Sequence, residues 1–223
     1  MTFFISSREG RLCVDGKRIP VPSTVAETPD GFGDDGNLSM PATQKNILAV
    51  SQLILDTFII PMGARLESGE SPEGYPGLDV VQKYQEKDDE LVGESPFLSR
   101  FRRFFRNQKN LTRGWCYLVS GTMHRFFFKD FDLYRSECSL DQNDHHWWLQ
   151  NDAGDVIDLT EEQYRIFKIY KPRENGRKQG PMGQSYAVKT RNMSVVIANL
   201  LTEKELFMPD FPATRAYQKS DLL

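Results

Sequence analysis

The stretch DHHWWLQNDAGDVIDLT, Asp144 to Thr160, constrains this chain more than any other. Two apolar runs flank the turn residues NDAGD, so the segment is expected to fold back on itself as a hairpin. A three-residue loop of Asp152, Ala153 and Gly154, with the glycine in the left-handed conformation, makes Asn151 face Asp155 and Trp148 face Asp158. Side chains alternate along a strand. His146, Trp148 and Gln150 then share a face with Val156 and Asp158, while His145, Trp147 and Leu149 take the other. His146 and Asp158 become diagonal neighbours, about 7–8 Å apart in backbone terms and within reach of an imidazole–carboxylate contact. A four-residue loop would instead put Asp158 on the face of His145, because a one-residue slip exchanges the faces. Glycine at the third loop position favours the first register and selects His146, leaving His145 as a polar neighbour at the strand entrance.

An imidazole beside a carboxylate raises the question of a nucleophile. In RGWCYLVSGTMHRFF the residues Trp115, Leu118, Val119, Thr122 and Phe126 are spaced as one stripe of a helix from about Trp115 to Phe128, opened by Gly114. Cys116 lies in its first turn, where unpaired backbone N–H groups and the positive end of the helix dipole favour thiolate over thiol. Its own N–H can donate to an oxyanion, with the side-chain amide of Asn110 or Gln108 as second donor. The plainer alternative is a structural cysteine, since free cysteine is among the most buried residue types. A thiol nucleophile wants an imidazole as base and then acid, and a third group to fix the imidazole's tautomer. Cys116, His146 and Asp158 supply all three. Trp148 lines the site or shields it from water, and Trp147 belongs to the core. His124 stands two helical turns from Cys116 and faces elsewhere. Cys138, in SECSL, is the fallback nucleophile. With His145 and His146 it lacks a convincing metal-ligand spacing, so neither a metal nor a cofactor is expected.

The remaining sequence reads as scaffold. Its 223 residues suffice for one full core. We expect an N-terminal extension, 1–94, packed on a catalytic core, 95–223. FFIS, RLCV and KRIPVP around EG and DG read as short hairpin strands, and Thr43 as the cap of a helix from Gln44 to about Phe58. Gly/Pro-rich loops occupy 22–41 and 68–92, the second being the candidate boundary. Ser95 and Pro96 open a helix with Phe97, Leu98, Phe101, Phe104 and Phe105 on one face. Thr160 and Gln163 read as a capping box, and SYAVKTRNMSVVIANLL as a short strand and a last helix. The formal charge is −3, so no global footprint for nucleic acid exists. Locally, the chain from Phe97 through Lys129 holds eight basic and no acidic residues. The run from Arg100 to Arg113 is a weak lead to an anionic partner, because helical packing would scatter these charges. The apolar run from Ile47 to Pro61 is broken by Ser51, Gln52, Asp56 and Thr57, and three widely spaced cysteines make no disulfide framework. A cytoplasmic protein with no membrane partner is expected.

GWCYLVSGTMHRFF, then HWWLQNDAGDVIDLT followed by EEQY, resembles the small phage and bacterial proteins related to the YunG family, over about Gly114 to Leu200. Those are similar to papain-like and NlpC/P60-like folds. The resemblance implies an α+β fold with helices packed on a small antiparallel sheet, and it matches Cys116, His146 and Asp158 to the cysteine, histidine and acidic positions. A common form of the family has glutamine before the cysteine, where Trp115 stands here as a site-lining residue. The expected function is a cysteine-dependent hydrolase or acyl transferase acting on an amide or thioester, of peptidase, amidase or deamidase type, with a protein or peptide as substrate. If the chain is phage-encoded, it would work in the host cytoplasm. The alternative is a binding or inhibitor protein on the same scaffold that engages a host protein without catalysis.

Overall fold

The computed structural model describes residues 2–20, 38–61, 112, 114–137, 145–164 and 175–202. The chain begins as two consecutive hairpins, β1 (Phe4–Arg8), β2 (Arg11–Val14) and β3 (Lys17–Arg18). Their two-residue turns, Glu9–Gly10 and Asp15–Gly16, have positive φ at both positions, as the twist of a tight hairpin requires. Thr43 caps α1 (Gln44–Ile54) by accepting from the Asn46 N–H at 3.2 Å. The helix widens into a π-helical turn at Leu55–Ile59, burying Leu55, Phe58 and Ile59.

Further along come α2 (Cys116–Phe126), β4 (Asp132–Glu137), β5 (His145–Gln150), β6 (Val156–Asp158), a 3₁₀ turn (Glu161–Tyr164), β7 (Arg177–Lys178) and α3 (Gln184–Thr202). Together they make an α+β fold. Among the described residues the strands form one seven-stranded sheet in the order β3-β2-β1-β6-β5-β4-β7. It is not the small antiparallel sheet expected. β1 lies parallel to β6, with Ser6 beside Asp158, so the first residues of the chain complete the sheet around the candidate acid. The polar sequence of β4, DLYRSE, hides its strand character. It pairs along its whole length with β5, Leu133 opposite Leu149 and Ser136 opposite His146.

The sheet's two faces differ in chemistry. Ile5, Leu12, Leu133, Trp147, Leu149 and Ile157 alternate onto one face and join the residues of α1, α2 and α3 in a single hydrophobic core. Ser6, Cys13, Ser136, His146, Trp148 and Asp158 occupy the other, and all are buried as well. α2 lies between β5 and α3 and is buried on nearly every side, as its mostly apolar or small residues permit.

α3 corrects one expectation: SYAV is helical, not a strand. Tyr186, Thr190, Met193 and Ile197 keep helical spacing, and the Tyr186 ring meets Tyr117 of α2 edge-on at 5.1 Å, so the stripe extends back to the helix start. The two helices approach closely at Gly121, where an added Cβ would come within 2.7 Å of Thr190 Cγ2. Gly121→Ala inside a helix would ordinarily stabilise by about 1 kcal/mol. Here the overlap is expected to reverse the sign, giving a net loss of about 1 kcal/mol or more in urea denaturation. Thr190→Ser, which removes the offending methyl, should restore most of it. A stabilised Gly121→Ala single variant would refute the tight crossing.

Candidate active site

The placement of Cys116 follows from the match between a helix and a strand. Cys116 Sγ donates to the His145 carbonyl at 3.5 Å, and Ser120 Oγ donates to the Trp147 carbonyl at 3.1 Å. Four residues of helix advance about 6 Å, and two of strand about 6.6 Å. The two contacts therefore run α2 alongside β5 and bring its amino end to the strand's beginning. The β5–β6 ladder covers only Leu149–Ile157 and Gln150–Val156, so the helix bonds carbonyls of β5 that this ladder leaves out. Cys116 is the first residue of α2, and the first N–H groups of a helix have no partner within it.

The hairpin adopts the three-residue loop. Asn151 and Asp155 face each other, Gly154 has φ 87° and its N–H donates to the Asn151 carbonyl at 3.0 Å. His146 and Asp158 accordingly share a face, with His146 Nε2 2.7 Å from Asp158 Oδ2 and both side chains inaccessible to solvent. The Asp158 carboxylate is held from its other oxygen: the Thr160 N–H and Thr160 Oγ1 each donate to Oδ1 at 3.2 Å. β1 braces the same strand, Ser7 Oγ donating to the Leu159 carbonyl at 2.6 Å. Trp148 stacks on the imidazole, ring centroids 5.9 Å apart, and on Tyr134 at 5.8 Å.

Gln163 was legible only as half of a capping box. No box forms: Thr160 turns to Asp158, and the Gln163 side chain contacts His146 Nδ1. The turn of 3₁₀ helix after β6 carries it back over the imidazole, which is clamped at both ring nitrogens. An ionised carboxylate only accepts, so the proton at Nε2 belongs to His146. The Gln163 amide nitrogen can donate to Nδ1 of the neutral ring. A half-turn of the carboxamide presents Oε1 instead, which accepts from the imidazolium. Burial opposes charge on His146, but the Asp158 carboxylate outweighs it through its charge and hydrogen bond, and the Cys116 side chain adds to the effect. The result is an imidazole pushed up to about 9.

Against family models, curated proteins and solved structures, the chain has no match. Its own geometry must carry the assignment.

Cys116, His146, Asp158 and Trp148 come together. Trp115, 1% exposed, packs against Phe58 in the core. Asn110, Gln108 and the fallback Cys138 lie outside the described residues, as do most of the basic run from Arg100 to Arg113 and the helix read from Ser95. His124 is tied to the Phe131 carbonyl through Nδ1 at 2.9 Å, and burial pushes its imidazole below the usual value. It secures the end of α2. Among the described residues no cluster of three or more His, Cys, Asp or Glu could hold a metal ion, and no helix is long and apolar enough to cross a membrane.

Proposed function

We propose that this protein is a cysteine-dependent hydrolase or acyl transferase with a papain-like arrangement of Cys116, His146 and Asp158. One observation carries the reading: a buried imidazole–carboxylate pair that interacts with a cysteine at the first residue of a helix. Cys116 attacks the carbonyl of an amide or thioester. His146 accepts the thiol proton and returns it to the leaving group, while Asp158 keeps the ring oriented through Nε2. The Cys116 N–H donates to the oxyanion. Trp148, stacked on the ring, keeps water from the ion pair. The NlpC/P60-like and YunG-like resemblance points to the same chemistry, and a protein or peptide in the cytoplasm is the substrate class it favours.

Limiting iodoacetamide at pH 6.5, with the modified peptide mapped by mass spectrometry, tests the reading. Cys116 is expected to react faster than Cys13, Cys138 and a free-cysteine peptide, and His146→Ala to slow it about tenfold or more. A rate equal to the free peptide's and unchanged by His146→Ala would remove the proposal. The near-complete enclosure of the site, with Cys116 8% exposed, favours a second reading in that event: a binding protein in which the pair pins β5 to β6 without catalysis.

A further inference from the structure

The same reading has a consequence for Gln163. At the resting site the Cys116 thiol donates to the His145 carbonyl and also interacts with the His146 ring, while the Gln163 carboxamide contacts His146 Nδ1. Nε2 is engaged by Asp158, so Nδ1 is the ring nitrogen left to exchange a proton with sulfur. We propose that Gln163 is a positioning residue that competes with Cys116 for His146 Nδ1 and holds the resting site in a latched arrangement. The competition operates in both protonation states. Toward the neutral ring, the amide N–H takes the lone pair that would accept the thiol proton; toward the imidazolium, Oε1 takes the N–H that would face the thiolate. Activation is then one balanced step. From the neutral ring, the carboxamide leaves Nδ1, the S–H bond breaks with its electron pair remaining on sulfur, and the proton bonds to the Nδ1 lone pair while Nε2–H stays with Asp158. From the imidazolium, whose Nδ1 already carries its proton, withdrawal of Oε1 leaves that N–H to pair with the thiolate. Gln163 is 1% exposed and sits in the turn directly after β6, so a movement of that turn would couple substrate entry to release.

This inference rests on the cysteine-hydrolase reading, and the test separates the two. Cys116 alkylation at pH 7 is compared in the full-length protein and its Gln163→Met, Gln163→Glu and His146→Ala variants, alongside ¹⁵N spectra of histidine-labelled protein. With three histidines in the chain, the ring signals are few. Gln163→Met keeps the length and removes the amide. It is expected to raise the Cys116 rate about tenfold, the weight of one competing hydrogen bond to a charged group, and to shift the His146 Nδ1 resonance while leaving His124 unmoved. Gln163→Glu retains an acceptor at Nδ1 and should not raise the rate. Should Gln163→Met fail to fold, Gln163→Asn, whose amide is one methylene short of the ring, carries the same expectation. A rate that falls in His146→Ala but does not rise on withdrawing the amide overturns this proposal alone. A rate indifferent to His146→Ala overturns the triad and the latch together.

Discussion

Asp158→Ala is expected to cost about 3–5 kcal/mol of unfolding free energy, the penalty for leaving one member of a buried ion pair without its partner. His146 is completely buried, so water cannot replace the lost carboxylate. Two further donors, the Thr160 N–H and Oγ1, lose their acceptor in the same change. Asp158→Asn should cost less, because it keeps an oxygen for one set of donors while removing the charge. Replacing both partners, as in Asp158→Ala with His146→Leu, should recover much of the loss, since no charge is then stranded. Urea denaturation at pH 7, followed by tryptophan fluorescence, measures all three. A loss below about 1 kcal/mol for Asp158→Ala would mean that the pair is solvated and weak.

A second large effect is expected from pH. The His146 imidazole has an ordinary pKa of 6.5 when unperturbed, as in the unfolded chain, and about 9 in the folded protein. The native state therefore binds this proton more tightly than the unfolded state. The resulting stability is fully present below pH 6.5, declines above it, and is lost as pH rises through about 9. Its size is on the order of 3 kcal/mol. Because other groups titrate near the upper end, the informative quantity is the difference between the wild-type protein and His146→Gln, measured by urea denaturation from pH 6 to about 10. The two stability profiles should converge or cross with rising pH. Parallel profiles would show that folding leaves the proton affinity of His146 unchanged. Under the proposed chemistry, loss of the imidazolium should also change Cys116 alkylation near the same pH.

How much of this could be read from the chain depended on whether the deciding interaction was local. The NDAGD turn and the alternation on either side of it select His146 as the partner of Asp158, and the structure has that register. Thr43, the EG and DG turns and the stripe around Cys116 likewise act within a few residues of themselves. The parallel docking of β1 on β6 leaves no such mark, because its partners are distant in sequence and short strands do not announce their neighbours. β4 was hidden by charged and polar side chains, and the start of α3 by its β-favouring tyrosine and valine. Gln163 and Thr160 were misread for another reason. Each carries the local signature of a helix start, but the nearby His146 and Asp158 claim their side chains. A polar residue one turn beyond the acid strand was the available signal.

The parallel pairing of β1 with β6 also bears on how the molecule is assembled. Phe3 donates its N–H to Asp155 across a sequence separation of 152 residues. During synthesis β1 thus emerges long before the strand it must meet. Its hairpin has one side waiting for a partner until most of the chain has been made, and closing so long a loop slows folding through its entropic cost. Asp158 gains the bracing of β1, in addition to that of His146 and Thr160, only when that closure is complete. The sheet around the candidate active site is therefore completed only after the β5–β6 hairpin has been synthesised.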